Sequence, residues 1–161
     1  VNWYGFPFDH VDVDVKLTYE KSFHWNNLEI IPVHACGHCY AHSAFFMEWN
    51  GLRTVSTGDT LQYTSGPIAI GGINRYNDTA WPERGFVNTF KRLIALKPDL
   101  ILGGHSNSFF DPDGCILRNM LTAAEGAQRV LAAVLHDGDM MRAMTPPGFD
   151  SMRPPLATTG K

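Results

Sequence analysis

Residues 11–17 (Val-Asp-Val-Asp-Val-Lys-Leu) alternate apolar and polar positions, the period of a half-buried strand. Residues 23–25 and 28–33 read as two more strands, with Asn26-Asn27 as the turn between them. Pro32 has no N–H to give a ladder, so it is expected near an edge or a strand end. Residues 43–49 and 52–57 flank Asn50-Gly51, and an Asn-Gly pair between two β-rich runs predicts a hairpin. From Gly58 to Trp81 the chain is rich in Gly, Asn, Asp, Thr and Ser without a sustained period, which reads as a long loop, of a kind that in compact domains is usually functional or mobile. Phe86, Val87, Phe90, Leu93, Ile94 and Leu96 then recur at helical spacing, and Lys97-Pro98 stops that helix. Leu100 to Leu102 is a short apolar strand running into Gly103-Gly104. Residues 115–135 carry the stripe of a long amphipathic helix that Asp137-Gly138 ends. Four prolines after Met144 predict an extended or disordered tail over 145–161, beyond a single domain unit at 1–144.

Composition narrows the function classes. The 161 residues are one domain's worth, and 44% hydrophobic with 18% charged is a soluble globular balance. The net charge is −3, and the 13 basic residues are scattered singly. A nucleic-acid surface needs clustered Lys and Arg, so that partner is not expected. No apolar run approaches the roughly 20 residues of a membrane span, and no signal peptide opens the chain. Three cysteines (Cys36, Cys39 and Cys115) cannot form a fully paired disulfide framework, so a reducing, cytoplasmic setting is the default expectation. The chain opens at Val1 rather than Met, which suggests a processed product or a fragment.

Three segments share one design: a β-like run, then Gly, then a metal-capable side chain. Residues 30–33 lead to Gly37-His38, residues 54–57 to Gly58-Asp59, and residues 100–102 to Gly103-Gly104-His105. A lone Gly-His or Gly-Asp after a strand is most often a turn. Three in chain order are less easily accidental. If the strands lie side by side, two imidazoles and a carboxylate meet at one end of the sheet, a donor set suited to zinc.

These residues carry a resemblance. His34-Ala35-Cys36-Gly37-His38-Cys39-Tyr40-Ala41-His42-Ser43 resembles the third metal motif of the metallo-β-lactamase superfamily, usually Pro-Gly-His-Thr-x-Gly-His-Ser. Phe45 to Asp59 resembles the hairpin that follows it and ends in Gly-Asp-Thr. The helix from Glu83, Lys97-Pro98-Asp99-Leu100 and Leu102-Gly103-Gly104-His105 resemble the last metal motif. The likeness covers roughly residues 11–135 and is nearest the glyoxalase-II-like hydrolases. Cys36 stands in place of the usual Pro, and Cys39-Tyr40-Ala41 in place of Thr-x-Gly. The superfamily's His-x-His-x-Asp-His is nowhere in the chain. The resemblance therefore implies the C-terminal half of an αββα sandwich, an α/β fold with a mixed sheet and flanking helices.

The resemblance also implies roles. His38 would complete one zinc site, Asp59 would bridge two zinc ions and act at the catalytic centre, and His105 would complete the other. A water activated by both cations would attack an ester, thioester, amide or phosphoester of a small-molecule substrate. His42 would orient a ligand, and Asn74, Arg75 and Tyr76 would line the cleft. His10, His24, His34 and His136 read as ordinary surface or satisfied histidines. The partner expected is the missing N-terminal half, or a second copy of the chain. A rival reading takes Cys36-Gly37-His38-Cys39 as a thiol–disulfide redox site, which requires a helix to begin at the first Cys. A structural zinc site at the same thiols lacks a second Cys/His pair at the needed spacing, and a non-catalytic fragment is the remaining alternative.

Overall fold

Asn26-Asn27 and Asn50-Gly51 reverse the chain as their chemistry predicts. A computed structural model describes residues 12–38, 42–62, 69–70, 85–105 and 107–134. In it Trp25 pairs with Leu28 and Trp49 with Leu52, so each turn has two central residues. Asn50 and Gly51 both take positive φ, 52° and 75°, the conformation whose twist matches the flanking strands. The first hairpin joins β1 (Phe23–Trp25) to β2 (Leu28–His34), and the second joins β3 (Ser43–Trp49) to β4 (Leu52–Gly58).

After β4 come β5 (Leu61–Gln62) and β6 (Ala69–Ile70), which pair with each other, then α1 (Phe86–Ala95) and β7 (Leu100–Gly103). A short β8 (Phe109–Phe110) and α2 (Cys115–Val134) follow. The main sheet has the order β1-β2-β3-β4-β7-β8, with β4 and β7 parallel and the other neighbours antiparallel. The helix between β4 and β7 supplies the crossover that a parallel pair requires.

Both helices lie over one face of this sheet. Val33, Ala44, Val55 and Ile101 share that face and are at most 1% exposed, packed with Phe86, Phe90 and Leu93 of α1 and Leu117 and Ala124 of α2. Asp111 is buried and caps α2: Oδ1 accepts the Ile116 N–H at 3.0 Å and Oδ2 the Leu117 N–H at 3.2 Å. At the start of the parallel pair, Arg53 grips Asp99 through its backbone N–H, Nε and NH2, at 2.9, 3.2 and 3.1 Å. The Asp99 N–H returns the bond to the Arg53 carbonyl at 2.7 Å. Arg53 pulls the Asp99 carboxyl below its ordinary range, chiefly by side-chain hydrogen bonding, and its own pKa rises for the same reason.

Several expectations need correction. Residues 12–17 form no strand, and Val13, Val15 and Leu17 are 61, 65 and 42% exposed. Period two marks a strand only where a neighbour takes its ladder bonds and a surface covers its apolar side. Among the described residues, neither is present for residues 13–17. Within 58–81, the β5–β6 ladder interrupts the expected loop. The two-residue β8 was not anticipated, since Phe-Phe alone is too short to show a period. Pro32 behaves as expected: it lies in β2 beyond the last residue paired with β1, and its carbonyl accepts the Glu20 N–H at 2.8 Å. The tail at 145–161 and the helix end at Asp137-Gly138 lie outside the described residues. Among the described residues, no helix is long and apolar enough to cross a membrane.

Candidate metal centre

β2, β4 and β7 all run the same way, because β3 is antiparallel to both β2 and β4 while β7 is parallel to β4. Their C-terminal ends therefore share one edge of the sheet. The three strands are not all adjacent, since β3 lies between β2 and β4, yet the shared direction brings their loops together.

His38 sits in the loop leaving β2. The Ala35 N–H donates to the His42 carbonyl at 2.9 Å and so continues the β2–β3 ladder past its last pair, His34 with Ser43. From the helix side, the buried Thr89 hydroxyl of α1 donates to the Cys36 carbonyl. Residues 36–38 form a turn. The helix that a redox reading of Cys36-Gly37-His38-Cys39 needs does not begin there, and Cys36 is buried.

Asp59 follows an irregularity in β4. Ser56 pairs with Leu102 and Gly58 with Gly103, so Thr57 is an extra residue, a bulge. Gly58 takes φ +51°, in the left-handed region, and turns the chain so that Asp59 follows in a tight turn closed by Thr60 N–H to the Thr57 carbonyl at 3.1 Å. The Gly104 N–H donates to the Gly58 carbonyl at 2.8 Å, and a Cβ on Gly104 would stand 2.6 Å from Asp59 Oδ1. Only a glycine leaves room for the carboxylate there.

The three side chains meet at Asp59. His38 Nε2 lies 3.4 Å from Oδ2, and His105 Nε2 lies 3.2 Å from Oδ1. Each carboxylate oxygen thus faces its own imidazole. His38 and Asp59 are about a quarter exposed, whereas His105 is 68% exposed at the rim. His42 stands edge-on to His38, ring centroids 5.6 Å apart at 71°, and its Nε2 donates to the Thr57 carbonyl at 3.0 Å. Asn74, Arg75 and Tyr76 lie outside the described residues.

Chemically, the donor set suits zinc in type, two imidazole nitrogens and a carboxylate that offers one oxygen to each. His38 Nδ1 and Thr60 Oγ1 are buried and meet no hydrogen-bond partner, the kind of unsatisfied group that calls for a water or an ion. Among the described residues, however, no group of three or more His, Cys, Asp or Glu is placed to hold a single ion.

Reading the chain alone missed the bulge at Thr57, which is a matter of strand register, and the hydroxyl of Thr89, which holds the Cys36 carbonyl from α1; neither carries a motif of its own. His34, set aside as ordinary, stacks on Tyr19 with centroids 4.8 Å apart, and its carbonyl accepts from Arg92 at 2.9 Å.

Solved structures share this arrangement of strands and helices. Over 83% of its length the chain matches a metallo-β-lactamase from Cronobacter sakazakii with a TM-score of 0.57 at 19% identity. The fold is that of the metallo-β-lactamases. A metallo-β-lactamase family protein from Thermus thermophilus matches over 78% of the chain (TM-score 0.51, 22% identity), and an archaeal superfamily member from Sulfolobus tokodaii over 75% (TM-score 0.50, 17% identity). The chain spans about half of these structures or less, 55, 37 and 44% of their lengths respectively. No protein-family profile matches the sequence, and no curated relative does.

Proposed function

We propose that this chain carries part of the metal centre of a zinc-dependent hydrolase of the metallo-β-lactamase superfamily, acting on a small ester, thioester, amide or phosphoester. The observation that carries this reading is Asp59, whose two oxygens each face one imidazole at the loop end of a metallo-β-lactamase fold. The motif resemblance to the glyoxalase-II-like branch supports the same reading. His38 with Asp59 Oδ2 would hold one ion, and His105 with Asp59 Oδ1 the other. Zinc, when bound, supplies Lewis acidity and lowers the pKa of water toward about 7, which makes a nucleophile available at neutral pH. The chain's own contribution is to set the donor geometry: Gly104 leaves space for the carboxylate, the Thr57 bulge aims it, and α1 holds the His38 loop through Thr89.

Two donors per ion, counted among the described residues, fall short of the three or four that a zinc site uses. We infer that the remaining ligands, and a second sheet against the face that bears no helix among the described residues, come from the other half of a full-length domain. Trp25, Trp49 and Phe110 lie on that face, 62, 47 and 65% exposed.

The test is zinc uptake and thioester hydrolysis by the 161-residue chain, alone and mixed with a chain bearing an upstream His-x-His-x-Asp-His segment. Alone it should bind zinc weakly, hydrolyse little and tend to self-associate; the mixture should bind tightly and turn over substrate. Two tightly held zinc ions and enzyme-like turnover in a lone monomer would overturn the half-site reading. Equal, negligible zinc uptake by wild type and Asp59→Asn in the mixture would overturn the metal reading itself.

A further inference from the structure

We infer that His42 is a positioning residue that locks the Thr57 bulge and thereby aims Asp59 between the two imidazoles; this deepens the metal reading above and rests on it for its functional meaning. The bulge takes the Thr57 carbonyl out of the regular β4–β7 ladder, and a buried carbonyl needs partners. Two donors supply them: the Thr60 N–H at 3.1 Å, which closes the turn around Asp59, and His42 Nε2 at 3.0 Å. A carbonyl oxygen only accepts, so Nε2 carries the proton. That nitrogen is thereby committed to the backbone and is not a metal donor.

The ring also fills space. A Cβ on Gly58 would stand 2.8 Å from both Cε1 and Nε2 of His42, so the imidazole lies against the glycine that makes the left-handed turn. On its other side His42 meets the His38 ring edge-on. One side chain thus touches the loop of the first imidazole and the backbone that carries the carboxylate. His105 is tied to the same unit through Gly104 N–H on the Gly58 carbonyl. Without the His42 donor and its bulk, the extra residue in β4 is free to slip toward ladder register, and Asp59 moves with it.

Three substitutions in the whole chain separate donor from bulk. His42→Gln keeps a donor near the Nε2 position, His42→Phe keeps a ring without a donor, and His42→Ala keeps neither. The first readout is free of metal: the imidazole 15N resonances of His38 and His105. Both should move in H42F and H42A and return toward wild type in H42Q. The second is zinc affinity by chelator competition in the mixture with the chain bearing the upstream segment, which should fall on the order of tenfold or more in H42F and H42A and recover in H42Q. Circular dichroism identifies any variant that fails to fold, and H42Q against H42F still decides if H42A does. Unchanged His38 and His105 resonances in H42F overturn the inference. If the wild-type chain takes up no zinc even when mixed with the chain bearing the upstream segment, while those resonances respond as described, the positioning role stands and the metal reading falls. Zinc affinity equal in wild type and H42F removes His42 and leaves the metal reading intact.

Discussion

The two faces of the six-stranded sheet are nearly equal in apolar content and unequal in cover. On one, Ile31, Val33, Ala44, Phe46, Val55, Ile101 and Phe109 meet two helices, and the central four are essentially sealed. On the other, register places Ile30, Met47, Leu100 and Phe110 in one row across β2, β3, β7 and β8. Trp49 and Leu52 lie opposite each other one row further on. Ile30, Pro32 and Thr54 are buried there and Met47, Leu52 and Leu100 half-buried, while Trp25 and Trp49 beside the hairpin turns and Phe110 on the edge strand remain exposed. The hydrophobic effect rewards removal from water, not apolarity as such, so the same residue types contribute very differently on the two faces. A sheet apolar on both sides is a middle layer. One side here has two helices as its cover within the described residues, and the other keeps its exposed rings.

The largest expected effect tests the sealed face. Phe90→Ala should cost about 3–5 kcal/mol in urea unfolding, because it opens a cavity among Phe86, Leu93 and the sheet. Phe110→Ala should cost no more than ~0.5–1 kcal/mol, as exposed positions usually do. Equal losses would mean that the second face is already covered and would break the comparison.

Thr89→Val comes next and asks whether the sealed face also supports the centre. Losing the hydrogen bond to the Cys36 carbonyl should destabilise the chain by about 1 kcal/mol, read from the denaturation midpoint. It should also loosen the His38 loop, seen as faster amide exchange around Ala35. Slow exchange unchanged from wild type would confine α1 to a packing role.

A triple replacement, Trp25→Ser with Trp49→Ser and Phe110→Ser, sharpens the other half. Stability should change by only ~0.5 kcal/mol per site, while light scattering should show less self-association at equal concentration. A variant that associates as strongly as wild type would place the sticky surface elsewhere.

The smallest effect appears only in acid. Arg53 holds the Asp99 carboxyl below its ordinary value, so the folded state binds that proton less readily than the unfolded state does. The resulting stability is fully present above the ordinary carboxylate range of about 4 and fades as pH falls through the lowered folded value. Asp99→Asn should therefore lower the melting midpoint at pH 7 and flatten its decline toward pH 3. An acid limb as steep as that of wild type would count against the pairing.

Local chemistry made much of this legible in advance. Asn50-Gly51 carries its own turn geometry, the α1 stripe carries its own period, and Gly-His, Gly-Asp and Gly-Gly-His each end a recognisable strand. The segment at 13–17 shows the limit of such reading: its alternation is as regular as any in the chain, but no described neighbour takes its backbone bonds. β8 shows the converse, a strand made by its pairing with β7 rather than by any pattern of its own.

By itself, then, the order of residues determined the hairpins, both helices and the identity of the three candidate donors, because each depends on contacts within a few residues or on side-chain chemistry alone. Only the tertiary structure decided that β3 lies between β2 and β4, that their ends still face one way, and that Thr57 is extruded so that His42 can hold its carbonyl. It also decided which apolar face is covered. Those outcomes depend on strand register and on which surfaces meet, and register is a relation between distant segments that no single segment encodes.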